Sequence, residues 1–291
     1  MEFEAFINDI RSNGWNVYGV EVYERGVLTH AWGDTRENLH PIYSATKSIL
    51  SVAVGIARDR GLIGLDRPLT DYLPAERVRR MAPAQRDAYG IITLKRLMTM
   101  SVAGLPFAAQ GESWLDHALS CPIPHPEEKV FNYSNNSAYL VGVALTEALG
   151  SDVGALIEES IFAPLGIQRY EYSRCPEGYF YGASAMRLTV HDLSRIGLML
   201  YSGGVWEGQR IVSEAYVREA TSVQQPCAEG GYGYLFWKYR DGFSINGKLK
   251  QKCYVLPDRG LVITYLANIE DPSPVMRNCM EKRLLGIPTG G

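Results

Sequence analysis

The chain has 291 residues, 46% hydrophobic and 21% charged, with a formal net charge of −3. Such a composition suits a globular protein with a sizeable core, in one large domain or two modest ones, and offers no basic excess for nucleic acid or an anionic membrane. Five cysteines, scattered and without a Cys-x-x-Cys pair, fit neither a disulfide framework nor a zinc knuckle and read as mostly free thiols.

The N-terminal stretch MEFEAFINDIRSNG has no basic n-region, apolar h-region or small-residue cleavage site, and nowhere do eighteen apolar residues run uninterrupted. Neither a secretory signal nor a membrane span is expected, and a reducing cytoplasm is the expected compartment. Phe3, Phe6, Ile7 and Ile10 recur at helical spacing and predict a one-faced helix that stops near Gly14. NVYGVEVYE and GVLTHAW then alternate as strands around a tight Glu24-Arg25-Gly26 turn, which predicts a hairpin. Helical runs follow around residues 46–60, 93–100, 137–149 and 189–201, the last striped by Leu193, Ile196 and Leu200 and started by Thr189. Strand signals return in GYGYLFWKYR, GFSIN, KQKCYVL and GLVITYLAN, the last two joined by a Pro257-Asp258-Arg259-Gly260 turn. A closing helix carries Val275, Met276, Cys279 and Met280 on one side.

Strands at both ends with helices between them predict an α+β fold: an antiparallel sheet completed by the two termini, flanked by terminal helices, with an inserted helical lobe. The expected division is one catalytic domain, with a sheet lobe of about residues 1–60 and 180–291, a helical lobe of about 61–179, and a cleft where the lobes meet.

Within PIYSATKSILSVAVGIARDRG, residues 41–61, apolar side chains surround almost the whole helix, so it is expected to be buried on most sides. Ser44 and Lys47, three residues apart, share one face at its front. The positive end of the helix and the burial both disfavour an ammonium, so the lysine pKa is expected to fall and the amine to become a proton acceptor. A Ser-x-x-Lys pattern occurs by chance about once in 300 residues, and its plain reading is a serine N-cap beside a snorkelling lysine. What adds weight is Tyr133-Ser134-Asn135, in KVFNYSNNSAYLVGVALTEALG, which places a phenol and a carboxamide in a loop just before a helix.

Here the sequence resembles the serine β-lactamase and penicillin-binding-protein-like hydrolases, nearest to the class C β-lactamases and the esterases that share their fold. The resemblance covers most of the chain and rests on ordered matches: YSATKSI, ITLKRLMTMSVAGLP, KVFNYSNNSAYLVGVAL, IFAPLGIQRYEYS, GASAMRLTVHDLSRIGLMLYSGGVWEGQRIVSE and GYGYLFW. It implies that Ser44 is the acyl-accepting nucleophile, that Lys47 and Tyr133 take its proton, and that Asn135 orients Lys47 and the substrate. The family's third motif usually reads Lys or His, then Ser or Thr, then Gly; the matching segment is Ile245-Asn246-Gly247. In β-lactamases the missing cation and hydroxyl hold the antibiotic's carboxylate, so their absence favours a neutral ester or amide over a β-lactam. Lys248 or Lys250 stands near enough to supply the charge, although the plainer reading of both is a solvated strand edge. Gly247 lets a substrate approach the backbone, and the amides of Ser44 and Lys248 are the implied oxyanion donors.

Tyr232, Tyr234 and Trp237 are candidate walls of an acyl or leaving-group pocket, with sheet packing as the alternative. Tyr43 and Trp114 are read as core first. GFSINGKL misses a P-loop because Leu249 stands where a hydroxyl must meet magnesium and a strand follows. Neither a G-x-S-x-G elbow nor an H-E-x-x-H motif occurs, and the five histidines stand singly. His191, beside Asp192, reads as part of a helix's first turn. The expected activity is therefore acyl transfer to water through Ser44, without a cofactor, on a small-molecule ester, amide or β-lactam. A β-lactamase, a D-amino-acid peptidase and a non-turnover binding protein of the same fold are the rivals.

Overall fold

Six strands form one antiparallel sheet: β1 (Val17–Glu24), β2 (Val27–Gly33), β3 (Trp237–Tyr239), β4 (Gly242–Gly247), β5 (Gln251–Leu256) and β6 (Leu261–Ala267). Their order across the sheet is β2-β1-β6-β5-β4-β3, so the N-terminal hairpin lies beside the last strand. Val20, for example, pairs with Trp32 on one side and Tyr265 on the other. The structure, a computed structural model, describes residues 1–288.

Alternation along the strands sends side chains to two separate apolar clusters. On the outer face, Val20, Val22, Tyr254 and Ile263 pack with helix α1 (Phe3–Ser12) and the closing helix. The expected α1 stripe of Phe3, Phe6, Ile7 and Ile10 is buried there. The closing helix spans Val275–Leu285, but its buried stripe is Met276, Met280 and Leu284; Val275 is exposed and Cys279 half-buried. Spacing of four rather than a mixed three-and-four turns the stripe away from the expected set. Each such fully buried side chain contributes about 1.5–3 kcal/mol by leaving water.

The inner face carries the larger cluster, in which Ile245, Cys253, Val255 and Val262 meet three central helices. These are α2 (Thr46–Asp59), α3 (Asn135–Leu149) and α4 (Val190–Tyr201). Helix α4 lies directly on the sheet, with Leu193, Ile196 and Leu200 buried, and starts in a capping box of Thr189 and Asp192. His191 sits in its first turn, with Nδ1 3.2 Å from the buried Glu21 carboxylate on β1. The closing helix is called α5 below.

One segment departs from its pattern. Of GYGYLFWKYR only Trp237–Tyr239 is a strand, because the chain turns through Leu235 at φ 63° and lies against the helix Glu214–Thr221. A Cβ on Gly233 would come within 2.0 Å of the Ala220 carbonyl oxygen, so glycine permits this close approach. All five cysteines are free thiols. Among the described residues, no single helix is long and apolar enough to cross a membrane.

Candidate active site

Ser44 occupies a one-turn 3-10 helix, Tyr43–Ala45, that runs into α2 at Thr46. Tyr43, just before it, has φ 47°, a left-handed conformation that strains a bulky residue by about 1–3 kcal/mol. Two bonds hold the turn: Thr46 Oγ1 donates to the Tyr43 carbonyl at 2.7 Å, and the Ala45 N–H donates to the Ile42 carbonyl at 3.0 Å. Strand β4 closes on this turn from the sheet. A Cβ on Gly247 would lie 2.2 Å from the Ile42 carbonyl oxygen, so the glycine is needed for backbone packing as well as for an approaching ligand.

Lys47 is 1% exposed, in the first turn of α2. Its Nζ lies 2.6 Å from the Ala183 carbonyl oxygen, 2.7 Å from Asn135 Oδ1 and 3.0 Å from Ser44 Oγ. Burial pulls its pKa down to about 7. The partner set suits a neutral amine. Two partners can only accept, and they use two N–H groups; the third is a hydroxyl, which can donate into the remaining lone pair.

Tyr133 and Asn135 reach this lysine from a loop fixed along its length. Asn132 Nδ2 donates to the carbonyls of Val102 (3.0 Å) and Leu105 (2.8 Å), and the Asn135 N–H donates to Phe107 O at 2.6 Å. Ser134 caps α3 by accepting from the Asn136 N–H at 3.0 Å. Upstream, the Arg96 guanidinium donates to the carbonyls of Ser101, Pro126 and Glu128, which ties down the chain before Tyr133. The Tyr133 ring centroid is 5.0 Å from Lys47 Nζ. Burial pushes its phenol up to about 12, and the nearby Ser44 hydroxyl opposes that shift.

A cavity of about 560 Å³ opens in front of these groups. Ser44, Tyr133 and Asn135 line one side, while Asn246, Gly247 and Lys248 line the other. Trp237 and Tyr43 also face it. Tyr232 and Tyr234 do not form its wall. Tyr232 is fully buried behind it, edge-on to Tyr133 at 6.2 Å and to Trp237 at 4.8 Å between ring centroids. The Tyr234 hydroxyl donates to Glu219 Oε1 at 2.5 Å on the helix beyond. The turn through Gly233 and Leu235 carries both rings into the core, so of the three aromatic candidates Trp237 alone faces the cavity. Lys250 is drawn off to the side, its Nζ donating to the Ser273 carbonyl at 2.7 Å, and Trp114 packs edge-on to Tyr139 and Tyr181.

Several contributors carry no local signature. The Ala183 carbonyl is backbone, and Arg96 acts through other carbonyls. Lys252 and Arg277 line the same cavity from β5 and α5, outside every motif. The strand alternation of β4 and β5 is the signal that could have found Lys252, once their register was known.

An antiparallel sheet between terminal helices and a helical lobe, with a Ser-x-x-Lys turn at the strand margin, defines a serine-hydrolase fold. Residues 16–285 match the family model for β-lactamase, and the chain belongs to that family. It is 27% identical over 151 residues, 49% of its length, to a β-lactamase of Pseudomonas fluorescens. That match covers 39% of the relative, so the chain spans about two fifths of the length of the curated relative it matches. Among solved structures, a candidate β-lactamase from Bacteroides dorei superposes with TM-score 0.80 at 18% identity, covering 97% of this chain and 98% of its own. A candidate 6-aminohexanoate-dimer hydrolase from Bacillus anthracis gives 0.79 at 17%, covering 96% and 80%. A penicillin-binding protein homologue from Caulobacter crescentus gives 0.71 at 16%, covering 94% of each. At these identities the structures speak for the fold alone.

Proposed function

We propose that the protein is a serine hydrolase that cleaves an ester or amide of a small molecule through an acyl-enzyme at Ser44. The observation that carries this is the Lys47 amine, held among two obligate acceptors and the serine hydroxyl and pulled to about 7 by burial. In its neutral form Lys47 takes the Ser44 proton as Oγ bonds to the substrate carbonyl carbon. Tyr133, whose phenol stays protonated at neutral pH, passes a proton to the leaving group as the bond to it breaks. Its place is then refilled from Lys47. Water repeats the sequence on the acyl-enzyme and frees Ser44. The amides of Ser44 and Lys248 are the oxyanion donors in this scheme.

An ester or amide without a carboxylate beside the scissile bond fits better than a β-lactam. Ile245 stands in the place of the third-motif cation and is fully buried in the inner core, and Asn246 replaces the hydroxyl. The family match favours β-lactam turnover as the second reading. A panel of p-nitrophenyl esters, D-peptides and nitrocefin, run on wild type and Ser44→Ala, separates the two. Ester hydrolysis should exceed nitrocefin turnover, fluorophosphonate should add to wild type by intact mass, and Ser44→Ala should be nearly inert. Wild-type ester hydrolysis by Ser44→Ala would refute the assignment.

A further inference from the structure

The backbone on both sides of Tyr133 meets a single residue. The short helix Leu94–Met98 ends at Thr99, and the next residue, Met100, is fully buried with φ 54°. Helices commonly close on a left-handed residue just past the cap, but that residue is usually glycine, and a long side chain there is disfavoured. In this conformation Met100 bonds twice to the Tyr133 loop. Its carbonyl accepts the Asn132 N–H at 2.7 Å, and its Sδ accepts the Ser134 N–H at 3.4 Å. The residues before and after Tyr133 therefore hang on the carbonyl and the side chain of one methionine.

Apolar bulk cannot replace the sulfur. Ser134 is fully buried, and its hydroxyl is already committed, donating to the Pro106 carbonyl at 2.6 Å and accepting from the Asn136 N–H at 3.0 Å. Its backbone N–H has the thioether as acceptor, a weak one, and a hydrocarbon of the same size would leave that donor buried and unpaired. The same helix end also reaches the Tyr133 ring. The Met98 carbonyl accepts the Leu235 N–H at 3.0 Å, and Ser48 Oγ, next to Lys47 on α2, donates to the Leu235 carbonyl at 2.8 Å. Leu235 leads into Trp237, whose ring stacks on that of Tyr133 with centroids 5.5 Å apart. Main chain and ring of Tyr133 are thus both referred to the segment from Met98 to Met100.

We propose, on the serine-hydrolase reading, that Met100 is a positioning residue whose carbonyl and thioether hold the Tyr133 phenol where it can hand a proton to the departing group. Met100 itself takes no part in the chemistry. A leaving group that is stable as an anion departs without that proton, whereas a poor one needs it. Loosening the clamp should therefore cost most on esters of weakly acidic alcohols, while a general loss of folded protein should cost all esters alike. A displacement of about 1 Å is enough to slow such a step by about 10²-fold.

The quantity to measure is the ratio of kcat/KM for p-nitrophenyl acetate to that for ethyl acetate, two substrates with one acyl group. Met100→Leu keeps the volume and removes the acceptor; Met100→Gly suits the left-handed turn and removes it too. In each of them that folds, the ratio should rise by about 10- to 100-fold, and by at least as much in Tyr133→Phe. Met100→Gln, whose Oε1 can accept the Ser134 N–H, should bring the ratio back toward the wild-type value. Deuterium exchange of the Ser134 amide, followed by NMR, reads the clamp without turnover and should quicken by about 10-fold in Met100→Leu or Met100→Gly, as one lost hydrogen bond requires. A ratio that rises in Tyr133→Phe but stays at the wild-type value in the Leu and Gly variants would overturn the assignment, and so would unchanged exchange of Ser134. If Tyr133→Phe itself left the ratio unchanged, Tyr133 as proton donor would fall instead, and the exchange rate alone would decide the clamp, faster exchange sustaining it and equal exchange ending it.

Discussion

Replacing Lys47 by methionine keeps the length of the side chain and removes its titration, which makes the pH dependence of stability a direct reading of the buried amine. An unfolded lysine titrates at 10.5 and the folded one at about 7. Because the folded pKa is depressed, the unfolded chain binds more protons between these values, and stability must rise with pH across the window. At or below the folded pKa, burying the amine costs about 5 kcal/mol relative to a solvated lysine, and this cost vanishes above the unfolded value. Between pH 6 and pH 9 the wild type should gain about 3 kcal/mol that Lys47→Met does not. The variant leaves Asn135 Oδ1 and the Ala183 carbonyl without their donor, at about 1–3 kcal/mol each, but that offset does not change with pH. Urea denaturation of both proteins at several pH values gives the difference curve, in which Lys252 and all other shared groups cancel. In parallel, kcat/KM of the wild type on a p-nitrophenyl ester should climb through about pH 7 to a plateau. Parallel stability curves, or a flat rate profile from pH 5 to 9 with chemistry rate-limiting, would show that the amine stays charged in the fold and would refute its role as base.

Tyr133→Phe should lower kcat by about 10²- to 10⁴-fold with thermal unfolding little changed, since the ring keeps its packing on Trp237; retention of full kcat would remove the phenol from the proposed proton path. Gly247→Ala should cost about 1–3 kcal/mol in denaturant titration and sharply reduce ester hydrolysis, because the new methyl group meets the Ile42 carbonyl next to the serine turn. Unchanged stability and rate would mean that strand and turn are not as tightly apposed as described.

Much of this was readable in the sequence where local pattern and tertiary need agree. The α1 stripe, the start of α4 at Thr189 and the strand runs that become β1 and β6 each follow from local pattern that no neighbour overrides. Ser44, Lys47, Tyr133 and Asn135 are legible as candidates because their motifs are short in sequence, and the fold brings them together, with Ser44, Tyr133 and Asn135 lining one cavity and Lys47 buried behind them. What stayed hidden depends on contacts between distant segments. Tyr232 and Tyr234 look like cleft-facing strand residues until the backbone turns at Leu235. Lys252 looks like a solvated strand residue until register sets it opposite Asn246. The third acceptor of Lys47 is a carbonyl, which no residue type announces.

The apposition of Gly247 with the Ile42 carbonyl means that the turn carrying Ser44, the proposed nucleophile, takes its position from main chain meeting main chain. Neighbouring side chains on that strand are then free to diverge without displacing the Ser44 hydroxyl. A scaffold arranged this way leaves Asn246, whose side chain faces the cavity beside Gly247, as a position where change need not disturb the serine turn.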